Sequence, residues 1–398
     1  MVPGLRHIFS APHRLGFLAG GSLFITSMLL WALELTGRSM AVSYGIAMPA
    51  MFWHGQLMVY GFFPLFMMGF IYTAGPRWLH VAKLTYWQYA PVMLAYALGT
   101  LLCLLGYWFV PTFLAGSALQ VLAWLAALAI WWSAIMRSSV SDKMHATAIG
   151  IAFTIGLLGL LMTLLWLQLG AFWAWQLSVR LGVWGFLLPV FLVVSHRMLP
   201  FFSGNVLQPY SRWQPAWLIY TWGSLLLVRI VFESLQRNTL LADLPLAIAL
   251  LYTSWRWRLI HSFKVKLLAM LHAAFAWSGL ALLLFTTHDI LLLLGLSGLG
   301  FAPLHALTLG FFCTMLLGFV TRVTLGHSGY PLVASRLAWG CYWAMHSVTL
   351  ARVLGELAPA WQQQFYLLAA VLALIAWSLW GRLYLPMYWQ ARADGQPD

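Results

Sequence analysis

Apolar stretches of about twenty residues, separated by short polar connections, recur along the whole 398-residue chain. An α-helix rises 1.5 Å per residue, so each stretch is long enough to cross the ~30 Å hydrocarbon core of a bilayer. Strands of a membrane barrel would instead read as alternating segments of about ten residues. The pattern predicts twelve helices, near 15–36, 47–72, 86–108, 112–135, 146–169, 173–199, 215–234, 240–255, 266–287, 302–321, 336–356 and 364–386. The eighth is short and interrupted by Pro245. The first apolar segment runs long enough to span and lacks a small-residue cleavage site, so no cleavable leader is expected. The expected fold class is therefore all-α, a polytopic membrane protein with one integral membrane domain over 1–398. No internal repeat stands out in the pattern, which counts against a transporter built from inverted halves.

Composition sharpens this picture. The chain is 63% hydrophobic and 7% charged, with a mean hydropathy of +0.85; a soluble domain carries roughly a quarter charged residues. A net charge of +13 suggests nucleic-acid binding only until the bases are placed on the alternating connections. Arg6, Arg14, Arg77, Lys83, Arg137, Lys143, Arg197, Arg212, Arg256, Arg258, Lys264, Lys266, Arg322, Arg336, Arg382 and Arg392 fall on the side of the N-terminus, against Arg38, Arg180 and Arg237 opposite, while Arg229 and Arg352 lie within spans. The positive-inside rule then puts both termini in the cytoplasm, and an even span count agrees. The basicity serves topology and contact with the lipid bilayer, and no nucleic-acid partner is expected. Cys103, Cys313 and Cys341 lie inside spans without close spacing, which excludes zinc knuckles, iron–sulfur clusters and c-type haem attachment.

Ionisable groups within spans are costly in lipid and mark candidate function. Arg229 and Glu233, and Arg352 and Glu356, are spaced i,i+4 and can pair along a helix face. No Lys, Asp or Glu occupies the centre of a span, which argues against a carboxylate proton relay. Histidines behave differently. Of twelve, His54, His272, His305 and His346 lie within spans, His196 near the end of the sixth and His327 just past the tenth. Neutral imidazole ligates haem iron and copper and tolerates a low-dielectric site; a hydrogen-bonded core histidine is the alternative for each. His54 and His305 lie in the outer thirds of two spans that run in the same direction. That depth match suits bis-imidazole ligation of a b-type haem edge-on in a helix bundle. Gly55, Gly61, Gly69, Gly310 and Gly318 thin the same helices, although small residues also serve ordinary helix packing. His196, His272 and His327 at the inner side are candidates for copper or a second site, or are polar residues at the interface.

Three segments then carry a resemblance. HALTLGFFCTMLLGFVTRVTLGHSGYPL (305–332), WHGQLMVYGFFPLFMMGFIYTAGPRW (53–78) and SHRMLPFFSGN (195–205) resemble the NnrS family of bacterial inner-membrane proteins. That family is associated with the nitric-oxide response and described as haem- and copper-containing. The resemblance supports His54 and His305 as ligands and marks Arg322, Gly326, His327 and Gly329. The chain departs from relatives that read H-x-H-E around the second span, having Trp53-His54-Gly55-Gln56 instead. A weaker similarity connects His54-Gly55, Met58, Gly69 and Pro76 with the second helix of haem–copper oxidase catalytic subunits, although no span carries the adjacent histidines of their copper site. Together these features imply an inner-membrane b-type haem protein of nitric-oxide tolerance or metabolism, with copper, nitric oxide and quinol as further partners. As an enzyme it would be a nitric-oxide-reductase-like oxidoreductase. The rival is a cofactor-free twelve-span transporter or permease.

Overall fold

The computed structural model describes residues 3–396, and every one of the twelve expected segments is helical. The helices are α1 (Pro12–Ser39), α2 (Ala50–Trp78), α3 (Tyr86–Leu105), α4 (Val110–Arg137), α5 (Met144–Leu169) and α6 (Phe172–Val206). They continue as α7 (Trp217–Ser234), α8 (Leu240–Arg256), α9 (Lys266–Leu293), α10 (Ala302–His327), α11 (Arg336–Leu357) and α12 (Gln362–Tyr384). Among the described residues there is no strand, and ten helices are long and apolar enough to cross a membrane. The two outside that group are α8, at 17 residues, and α11, whose apolar run is broken by His346, Arg352 and Glu356. The chain is an all-α polytopic membrane protein.

Contacts sort the chain into two units. The first runs up to Val190 and takes in the chain from Gly381 onward; the second is Phe191–Trp380. In the first unit, α3 and α4 approach closely through Gly99 and Gly116. A side chain at Gly116 would stand 2.5 Å from the Gly99 carbonyl oxygen and 2.7 Å from the Cys103 nitrogen. Without a hydrophobic driving force between helices in lipid, such backbone proximity supplies the packing. The buried indoles of Trp53, Trp124 and Trp131 each donate to a backbone carbonyl, of Cys103, Phe153 and Ala146. In the second unit, Trp277 lies over Gly310 and Met270 over Gly318, while the Tyr342 hydroxyl donates to the Met270 carbonyl at 2.6 Å.

Three helices, each four after the last, contain a π-helical turn: α2 over Leu57–Gly61, α6 over Leu181–Leu187 and α10 over Ala306–Cys313. A π turn adds a residue to the helix and frees backbone groups, so it persists only where those groups find partners. In α2 the cause is local. Pro64 has no N–H to give the Tyr60 carbonyl. Tyr96 donates to that oxygen at 2.5 Å and Gln120 at 3.2 Å, while Thr100 donates to the Gly61 carbonyl. The flanking sequence recurs as well: Gly61-Phe62-Phe63 with Gly69-Phe70, and Gly310-Phe311-Phe312 with Gly318-Phe319, share one spacing. The match is confined to these ten residues and is not a repeat of spans. A ten-residue match disappears in a hydropathy profile in which every span is apolar.

Candidate functional site

In the first unit, His54 stands in the opening turns of α2, whose N-cap is Pro49. Its imidazole stacks on the indole of Trp31 from α1, ring centroids 3.8 Å apart and planes inclined by 18°. The guanidinium of Arg38 lies over the same indole, 5.5 Å from its centroid. Arg38 is tied to Glu34 at 2.8 Å, and the Tyr107 hydroxyl donates to the other Glu34 oxygen at 2.5 Å. Tyr107 lies between α3 and α4; burial, and then the bond to Glu34, raise its phenol well above the ordinary value. Gln56, two residues after His54, is buried, and its side-chain oxygen accepts from Thr163, which pairs with Ser178. Gln56 is therefore part of a neutral hydrogen-bonded cluster, with no carboxylate at its position.

In the second unit, His305 lies in the first turn of α10, three residues after Ala302 and immediately before the π turn. Its Nδ1 lies 2.9 Å from the carbonyl oxygen of Phe301. A carbonyl only accepts, so Nδ1 carries the proton and Nε2 presents a lone pair. Metal-bound histidines generally make this second hydrogen bond, because it fixes both tautomer and ring orientation. An Arg–Glu–Tyr trio stands nearby: Arg352 donates to Glu356 at 2.6 Å, and Tyr366 donates to the same oxygen. His346 shows the opposite tautomer. Trp277 donates to its Nδ1 at 2.8 Å, which places the proton on Nε2 and removes the lone pair a metal would need.

The remaining candidates take separate contacts. The His196 Nε2 faces the Pro215 carbonyl at 3.2 Å, and the His196 carbonyl, deprived of a helical donor by Pro200, accepts from Gln214 at 2.8 Å. His196 thus ties the chain after α6 back to the helix. His272 Nε2 lies 2.9 Å from the Ser203 hydroxyl, both fully buried. His327 is the last residue of α10. After it, Gly329 adopts a left-handed conformation (φ +74°) and the Tyr330 N–H reaches the Leu325 carbonyl, a Schellman ending. Gly326 is exposed and has only Leu332 near its missing side chain. Arg322 is buried, its guanidinium 4.1 Å from the ring centroid of Phe202. Among the described residues no three of His, Cys, Asp and Glu are grouped so as to hold a metal ion.

Sequence reasoning passed over Trp31, the Phe301 carbonyl, Tyr107, Tyr366 and the π turns. The Glu34–Arg38 pair was discoverable from its i,i+4 spacing.

No curated protein matches the chain. A family model described as NnrS protein covers residues 7–392, nearly its full length, and includes both histidine-bearing helices; this protein belongs to the NnrS family.

Proposed function

We propose that this protein is a b-type haem protein of the bacterial inner membrane, with both termini cytoplasmic, that acts in nitric-oxide tolerance or metabolism. His54 and His305 are its proposed axial ligands. One observation carries the reading: the Nδ1–H of His305 is committed to the Phe301 carbonyl, which leaves Nε2 as a ligand atom. His54 fits the same role, with its ring plane set by Trp31. Beside it, Gly55 packs against Trp175, which a side chain there would meet at 3.5 Å, an ordinary contact. A haem held by both imidazoles would supply electron transfer rather than binding of nitric oxide. The protein's own part is to hold the two imidazoles: Phe301 orients one through its carbonyl, and Trp31 the other through its face. A copper set from His196, His272 and His327 is not assembled in the same way, since among the described residues no three of His, Cys, Asp and Glu are grouped so as to hold a metal ion.

The test is a visible spectrum of the full-length protein purified after expression with ample haem. The expected result is a Soret band with low-spin features that is lost in both His54→Ala and His305→Ala. A wild-type protein without a Soret band, or two variants with unchanged low-spin spectra, would refute the proposal.

A further inference from the structure

The second unit holds four carboxylates, Glu233, Asp243, Asp289 and Glu356, and all lie at the end that carries His305. Their contacts confirm it: Thr239 joins Asp243 to Asp289, and Glu356 lies beside Gly300. Arg322 lies seventeen residues further along α10 than His305, roughly 25 Å away at the helical rise. It is therefore at the end with no carboxylate, yet it is only 7% exposed. No hydrogen bond or ion pair engages its guanidinium among the described residues; it rests instead on the face of Phe202.

A buried guanidinium without a counter-charge is costly, and an aromatic face offsets only part of that cost. The surroundings add positive charge. The Phe201 ring is 5.7 Å from that of Phe202 and lies beneath Arg212, 5.3 Å from its centroid. Arg258 donates to the Pro209 carbonyl in the same connection and lies over Tyr210. Burial raises the Tyr210 phenol, and the nearby charges of Arg258 and Arg212 oppose that rise. Arg322 on Phe202, Arg212 on Phe201 and Arg258 on Tyr210 thus flank the exit of α6, with no carboxylate among these contacts.

We propose that Arg322, floored by Phe202 and accompanied by Arg212, binds an oxyanion, either free phosphate-like anion or the phosphate of an acidic lipid. Guanidinium recognises such groups through paired charge-assisted hydrogen bonds, and a partly desolvated site strengthens them. The proposal is independent of haem.

The experiment uses the full chain in non-ionic detergent. Inorganic phosphate is titrated calorimetrically, and retained phosphatidylglycerol is compared with phosphatidylcholine by native mass spectrometry. The expected result is one equivalent of one probe, weakened about tenfold or more by Arg322→Gln and little changed by the exposed Arg256→Gln. Loss of phosphate binding identifies a free anion as occupant, and loss of phosphatidylglycerol alone identifies a lipid. If Arg322→Gln does not yield a monodisperse protein, Phe202→Leu, which keeps the charge, should weaken the same binding several-fold. Wild-type protein that binds neither probe, or binding that Arg322→Gln and Phe202→Leu leave unchanged, overturns the proposal.

Discussion

The hydroxyl of Tyr96 donates a 2.5 Å hydrogen bond to the carbonyl oxygen of Tyr60, an oxygen that Pro64 deprives of its helical donor. The bond joins α3 to the π turn of α2 and stands in for a missing backbone bond. Tyr96→Phe should therefore cost about 0.5–1.5 kcal/mol, since it removes the shorter of two bonds to a buried acceptor that Gln120 still reaches at 3.2 Å. In a Pro64→Ala background an N–H is restored at position 64, and the cost of Tyr96→Phe should fall. Denaturation of the four proteins in detergent measures the coupling. Additive effects would show that Pro64 is not what opens the Tyr60 carbonyl.

Trp31 presses on the His54 ring at 3.8 Å. Stacked aromatic pairs contribute about 0.5–1.5 kcal/mol beyond their burial, enough to hold an imidazole plane. Trp31→Leu should leave the helices folded but lower the haem content and broaden the low-spin spectrum, and Trp31→Phe should retain most of it. Equal haem spectra for wild type and Trp31→Leu would remove Trp31 from any positioning role.

Arg229 is 3% exposed and lies 2.8 Å from Asp243, which is fully buried. It also pairs with the more exposed Glu233. Removing one member of a buried pair strands the other charge, so Arg229→Met should cost about 3–5 kcal/mol. The double variant Arg229→Met with Asp243→Leu should be more stable than Arg229→Met alone, because no buried charge is left. Thermal unfolding of the three proteins decides; a double variant less stable than the single would contradict the argument.

The Tyr107 phenol is raised by burial and by its bond to Glu34. A group whose folded pKa is raised contributes stability that is complete below its unfolded pKa, near 10 for tyrosine, and is lost as pH climbs toward the folded value. Stability should thus decline above about pH 10, and Tyr107→Phe should reduce the slope of that decline. Melting temperatures of both proteins across this range provide the check.

At Gly116 a methyl group would meet backbone atoms of α3, which cannot swing aside as a side-chain end can. Gly116→Ala should push α3 and α4 apart at a cost of about 1–3 kcal/mol. Gly223→Ala, with open space around it, should be near neutral in the same melting assay.

Much of this architecture is legible in the chain. All twelve helical segments were placed to within a few residues except the ends of α2, α6, α9 and α10, which run further than their apolar cores. Hydropathy detects the membrane-depth part of a helix and not the polar turns that continue it, such as Thr321–His327 of α10. The i,i+4 pairs Arg229–Glu233 and Arg352–Glu356 form as their spacing requires. The third partner in each case, Asp243 or Tyr366, comes from another helix and had no local signature.

The sequence by itself determined the helices, the apolar composition that suits them to a bilayer, and the histidines that stand at the head of α2 and α10. These depend on runs and spacings along one dimension, where each residue acts with its near neighbours. Tertiary structure decided what those histidines are chemically. His54 is stacked on Trp31, His305 donates its Nδ1–H to the Phe301 carbonyl, His346 accepts from Trp277, and His272 and His196 are held by Ser203 and Pro215. An imidazole's tautomer follows from the partner it meets. Most of these partners arrive from other helices or connections, through packing that the order of residues does not spell out.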